Sequence, residues 1–323
     1  RSSWVTGVQT CALPISQNMP DINKEEALKL YEADLEELLF AASKVRKAHK
    51  GKKVKICSII NAKSGQCCED CKFCAQSVFS KSDIKVYPLK TPETIVDCAK
   101  NAIEKKAGCF GIVSSGNYLK EDEIEPLCKA FRENPNVSKI SVSIGRLTEN
   151  ILVKLRRAGI NKIHHNLETS EKFFPEICST HTYAERVETI KKAKALGFKI
   201  CSGGLFGIGE SRQDRIDLAF ALKALDVESV PMNFFIAFKG TPLENAQKLS
   251  PEEILKTISV FRIILPKQDI MICGGREVNL RDLQPMIFQA GANGMMSGGY
   301  LTTGGRDQEA DIKMIEDLGL EVE

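Results

Sequence analysis

KVKICSIINAKSGQCCEDCKFCAQS, residues 53–77, runs from a short apolar segment directly into four closely spaced cysteines. Its first part, KVKICSIIN (53–61), is β-branched and brief, as a buried strand is. Gly65 allows a tight turn before the cysteines. Cys67, Cys71 and Cys74 then form C-x3-C-x2-C, while Cys68 departs from that spacing and is read as a bystander. A structural zinc site takes four ligands, usually as two separated pairs. No fourth partner is evident near this loop, because His49 lies upstream and His164, His165 and His181 are far along the chain. Three thiolates suit a four-iron cluster whose last iron keeps an open position.

Outward from this strand and loop, the pattern repeats. Thr91-Pro92 opens a helix with a cap and an N1 proline, and that helix closes near Gly108. Strand-like runs follow at 109–114, 139–144, 162–166, 198–202, 231–236, 270–273 and 294–296, with amphipathic stretches between them. Ser250-Pro251-Glu252-Glu253 reads as a capping box. Counting the first strand, eight strands alternate with helices, which calls for a parallel sheet covered by helices. The expectation is an α/β fold, a TIM-type (β/α)8 barrel over residues 53–323, with chemistry at the C-terminal strand ends. An open doubly wound sheet is the alternative, but its glycine fingerprint is missing after the first strand. Upstream, 19–52 reads as a helical extension: Asp34 caps a helix to Lys50, Leu35, Leu38, Ala42 and Val45 share a face, and Gly51 ends it. Residues 1–18 lack helical or strand period and the layout of a secretory signal, and are read as a non-native segment.

The chain has 323 residues and a net charge of +3 with both signs interspersed, which leaves no footprint for nucleic acid or an anionic membrane. No apolar run approaches the length of a spanning helix. The expected location is the cytoplasm, where reduced thiols favour metal or redox chemistry for the twelve cysteines.

CEDCKFCAQS (68–77 with Cys67 before it) resembles the signature of the radical S-adenosylmethionine (SAM) superfamily. Further stretches resemble the biotin synthase family: HNLETS (165–170), THTYAERVETI (180–190), CSGGLFGIGE (201–210), VPMNFFIAFKGTPL (230–243), GGRE (274–277) and AGAN…YLTT (290–303). That resemblance covers the chain from about residue 25. It implies conversion of dethiobiotin to biotin by radical insertion of sulfur. Cys67, Cys71 and Cys74 then hold a 4Fe-4S cluster whose open iron binds SAM. Phe73 falls where an aromatic meets the adenine, and Leu205, within G203-x-L205-x-G207-x-x-E210, belongs to the adenine-contacting stretch. Glu168 falls where a carboxylate bonds the ribose hydroxyls, Arg186 where SAM's carboxylate lies, and Ser114 where its amino group lies. Asn166 and Asn233 fall where the ureido ring is held, Thr302 and Thr303 where the substrate carboxylate is covered. The family also implies an electron donor such as flavodoxin or ferredoxin and a homodimer. A hydrogenase-maturation or methylornithine-type enzyme is the nearest alternative, one without sulfur insertion.

The resemblance breaks at the sulfur source. The family's auxiliary cluster, usually 2Fe-2S, sits on three strand cysteines and an arginine. Here Cys201 and Arg276 correspond, whereas Gly111 and Ser141 replace two cysteines. Cys57 and Cys273 are suggestively placed, and with Cys201 they form a candidate set for a larger sulfide-bearing four-iron cluster. Cys109 competes for the role, and Gly111 is read as making room. Strand alternation would point 273 and 276 oppositely unless Gly274-Gly275 bulges the strand. Cys98, Cys128 and Cys178 are read as small buried hydrophobes.

Overall fold

The computed structural model describes residues 22–133, 137–299 and 304–323. Its strands are β1 (Lys53–Lys63), β2 (Cys109–Ser114), β3 (Ile140–Ser143), β4 (Lys162–His164), β5 (Lys199–Cys201), β6 (Gly204–Phe206), β7 (Ser229–Phe234), β8 (Asp269–Ile272), β9 (Gly294–Met296) and β10 (Glu321–Val322). β1 pairs in parallel with both β2 and β9, so the sheet closes on itself as a barrel and the open-sheet alternative fails. The fifth barrel position is a broken strand. β5 pairs with β4, and β6, after a break at Ser202-Gly203, pairs with β7. β10 extends the start of β1, with Lys53 opposite Glu321.

Strict alternation explains the barrel's two environments. Ile56, Phe110, Ile112, Val142, Ile163, Ile200, Val230, Ile270 and Met295 are buried in the core that the strands share with the surrounding helices. Their neighbours Cys57, Cys109, Gly111, Ser141, Lys162, Cys201, Pro231, Met271 and Met296 line an interior cavity instead. An ordinary TIM barrel fills its interior with bulky branched side chains. This one keeps a sulfur-rich space of about 330 Å3.

The N-terminal extension forms helices Lys24–Lys29 and Leu35–Lys50 on the barrel's outside. Asp34 caps the second by accepting from the Glu36 and Glu37 amides, and Gly51 ends it at φ +62°. Tyr31 Oη lies 3.3 Å from Thr257 Oγ1 on helix Pro251–Ile264, and Lys50 reaches Asp269 at 2.8 Å. The Ser250 cap is present, with the Glu253 amide donating to its hydroxyl at 3.1 Å. The Glu253 carboxylate is instead paired with Arg212 at 2.7 Å and Arg215 at 2.6 Å.

Candidate active site

The cysteine loop after β1 is held by its own backbone. The Cys67 amide donates to Gln76 O at 3.0 Å, the Val78 amide to Cys67 O at 2.9 Å and the Cys74 amide to Cys71 O at 2.9 Å. Gly65, at φ +75°, starts the turn. The Gln76 side chain accepts from the Ser64 hydroxyl and the Gly65 amide, and the Ser115 hydroxyl donates to Gly65 O at 2.7 Å. All three loop cysteines are free thiols and half-buried, and Cys68 is exposed. Burial pushes Cys74 up to about 11 and raises Cys67, so both thiols must lose protons to bind metal.

Phe73, Cys74 and Gln76 form one wall of the cavity, and Asn166, Glu168, Leu205 and Asn233 line it at the ends of their strands. Glu168 adopts φ +68°, and burial raises its carboxyl despite Arg186, whose guanidinium is 3.9 Å away. Arg186 also donates to Asn166 O at 2.8 Å. Asn166 Oδ1 accepts from the Gly203 amide at 3.1 Å and Asn233 Oδ1 from the Gly274 amide at 3.0 Å, so backbone bonds fix both amides in place. Ser114 Oγ is buried with no hydrogen-bond partner among the described residues. Thr302 and Thr303 lie outside the described residues.

Two glycines of the 203–210 stretch answer to the chain itself. A Cβ on Gly203 would stand 1.9 Å from Pro231 O, and one on Gly204 2.5 Å from Glu168 O. They let adjacent strands press together. Glu210 accepts from the Gly207 and Ile208 amides and pairs with Arg215 at 2.8 Å, which fastens the turn.

Deeper in the same cavity stand Cys57, Cys109, Cys201 and Cys273, all free thiols, with Lys162 among them. Cys57 and Cys109 are register partners, and Cys109 lies 3.8 Å from Ser141 Oγ. Burial works against the Lys162 ammonium, but Cys201, Cys109 and Cys57 outweigh it and raise its pKa. His164, half-buried on the same face as Lys162, is pushed down to about 4 by desolvation and is neutral; His165, the next residue, is outside the cavity lining, as opposite facing predicts.

Two expectations change. Gly111 does not open free space, because a Cβ there would meet Ile59 Cγ2 at 2.9 Å. Arg276 is not on the strand, nor does it share a face with Cys273. β8 ends at Ile272, and Gly275, at φ +83°, turns the chain into helix Arg276–Leu280. There is no bulge to reconcile the two directions. The Arg276 guanidinium is held by Asp311 at 2.9 Å, Gln284 at 2.5 Å and Glu277 at 3.2 Å, outside the cavity lining. Met271 is the residue that shares Cys273's inward face.

Sequence reading passed over Lys162, Met271, Cys178 and His181. A period-two count along each strand would have found the first two. Cys178 is buried as expected, but it lies 3.7 Å from Cys71, a contact no local pattern encodes.

Residues 62–222 match the Radical SAM superfamily and residues 231–321 the Biotin and Thiamin Synthesis associated domain. A biotin synthase of Endomicrobium trichonymphae is 64% identical over 94% of this chain and 94% of its own. One of Geotalea daltonii is 49% identical, again over 94% of each. Among solved structures, a methylornithine synthase superposes with TM-score 0.81 at 22% identity over 94% of this chain and 95% of that one. The FeFe-hydrogenase maturase HydG of Carboxydothermus hydrogenoformans gives 0.80 at 19%, over 93% and 76%. Those two likenesses concern the fold alone, whereas identity at 64% across nearly the whole chain reaches the family. The chain belongs to the biotin synthase family of radical SAM enzymes.

Proposed function

We propose that this chain converts dethiobiotin to biotin, with Cys67, Cys71 and Cys74 holding a 4Fe-4S cluster and the deeper cysteines holding the sulfur donor. The observation that carries this reading is a single cavity lined at one wall by Phe73 and Cys74 and elsewhere by Cys57, Cys109, Cys201 and Cys273. When bound, the cluster with SAM supplies a carbon radical able to remove unactivated hydrogen atoms, and the auxiliary cluster supplies sulfur.

The protein's part is placement. Arg186 offers a planar fork to SAM's carboxylate, and Glu168 offers paired acceptors to the ribose hydroxyls. The unpartnered Ser114 hydroxyl suits the SAM amino group, and Phe73 and Leu205 suit the adenine. Asn166 and Asn233, pinned by backbone amides, present the donors and acceptors that a ureido ring requires. Neutral His164 beside them adds bonding capacity without charge.

For the auxiliary cluster, the cavity offers four thiols and an ammonium. Cys57, Cys201 and Cys273 are the proposed ligands with Cys109 as a fourth, a set richer than a 2Fe-2S site with two missing cysteines could use. Lys162 offsets the negative charge of the thiolates. Arg276 lies outside the cavity lining and is not among the proposed ligands. An external low-potential donor of the flavodoxin or ferredoxin type completes the reaction, in the cytoplasm, on a homodimer.

Anaerobic reconstitution with iron and sulfide, then SAM, reductant and dethiobiotin, tests the reading by mass spectrometry. Biotin and 5′-deoxyadenosine forming together is the expected result. Deoxyadenosine without biotin would overturn the substrate or sulfur assignment and leave the radical SAM chemistry standing.

A further inference from the structure

The reaction leaves Cys178 and His181 without a role, although both stand against a cluster ligand. They lie in the loop between helices Phe174–Ile177 and Tyr183–Ala195. That loop is fastened to the cysteine loop: the Lys72 amide donates to Ile177 O at 2.9 Å, the Asp70 amide to Thr180 Oγ1 at 3.1 Å, and the Ser179 amide to Asp70 Oδ1 at 2.9 Å. The result brings Cys178, 4% exposed, to 3.7 Å from Cys71, sulfur to sulfur.

His181 is held between a carboxylate and a guanidinium. Its Nδ1 is 2.6 Å from Glu69 Oε2, and its Nε2 is 3.1 Å from Arg186 Nε. An arginine Nε–H only donates, so Nε2 is the acceptor and Nδ1–H is given to Glu69. A carboxylate behind one ring nitrogen is the usual support of a metal-bound histidine, and Nε2 would exchange its bond from Arg186 for the ion.

The spacing fits one ion. The two sulfurs and a ring nitrogen all lie within 4.8 Å of one another. Two thiolates on a tetrahedral ion with bonds of about 2.3 Å stand about 3.8 Å apart; Cys71 and Cys178 are 3.7 Å apart before any ion binds. Cys178 Sγ is 3.2 Å from His181 Nδ1 and 4.0 Å from Nε2, against about 3.6 Å for a mixed sulfur–nitrogen edge. Asp70 Oδ1, 3.2 Å from Cys178 Sγ, borders the same spot.

We propose that in the cluster-free chain Cys71, Cys178 and His181 bind one thiophilic divalent ion, Fe(II) or Zn(II). Both occupants need Cys71, so this ion and the 4Fe-4S cluster exclude each other. Loading releases to solvent whatever thiol protons the Cys71–Cys178 pair carries and frees Arg186 from His181, to turn towards Glu168 at 3.9 Å. The site does not depend on the identity of the substrate.

The test uses the full-length, cluster-free chain under anaerobic, reducing conditions, with Co(II) as probe. In a Cys67→Ser/Cys74→Ser background, which removes the rest of the cluster loop, one Co(II) per chain is expected to give the intense absorption of a tetrahedral thiolate complex. Adding Cys178→Ser or, as a second variant, His181→Gln weakens that binding about 100-fold. In the wild-type chain, preloaded Zn(II) slows 4Fe-4S reconstitution, and Cys178→Ser removes the delay. No tetrahedral Co(II) band in the double variant would overturn the proposal. So would an affinity that neither Cys178→Ser nor His181→Gln changes.

Discussion

Cys57 on β1 and Cys109 on β2 are register partners whose side chains line the same cavity inside the barrel. Cys57 and the nearby Lys162 charge lower Cys109 against its burial, while Cys109 and burial push Cys57 well up. Metal binding converts both to thiolates, and Lys162 is the charge that makes this tolerable.

Cys57→Ala and Cys109→Ala are each expected to lower iron and acid-labile sulfide per chain to the amount the Cys67–Cys74 loop alone binds. Both retain 5′-deoxyadenosine formation and lose biotin. Cys98→Ala and Cys128→Ala, on outer helices, leave the iron unchanged. Iron and sulfide analysis of the four variants checks this; full iron in Cys109→Ala would return that residue to a packing role.

Arg276 and Asp311 are both 0% exposed and joined at 2.9 Å. Removing one partner of such a pair leaves a buried charge uncompensated, at about 3–5 kcal/mol. Arg276→Met and Asp311→Ala should each lower the urea midpoint accordingly, while auxiliary iron per folded chain stays the same. Loss of iron from a folded Arg276→Met chain would restore the ligand role.

Asp269 ties the extension to the barrel. Burial opposes its charge, yet hydrogen bonds from Lys50 and Lys55 hold its carboxyl down at about 2. A carboxyl depressed on folding stabilises above its unfolded value of about 3.9, and the contribution disappears as pH falls through about 2. Its size at neutral pH is about 2 kcal/mol. Asp269→Asn should lose that much at pH 7 and show a shallower fall between pH 4 and 2 in denaturant titrations.

Glu168 and Arg186 give a prediction in binding. Glu168→Gln and Arg186→Lys remove a charged acceptor and a planar fork, so each should weaken SAM about 10-fold or more with the loop's iron intact. Equilibrium binding of SAM to the reconstituted chain measures it. Unchanged affinity in both would move the SAM contacts elsewhere.

The strand and helix alternation, the cysteine loop and the caps at Asp34, Thr91 and Ser250 were all legible in the sequence. Each is a short-range matter, since capping acts within three residues and the cluster loop spans eight. Even the inward set of the strands was there as a period of two, with Cys57, Lys162, Cys201 and Met271 on one face. What spacing alone does not carry is which distant groups meet once the barrel closes. Arg276 finds Asp311 thirty-five residues later, because the turn at Gly275 swings it off the strand. Cys178 arrives beside Cys71 across 107 residues, because backbone bonds join two loops that only the closed sheet brings together.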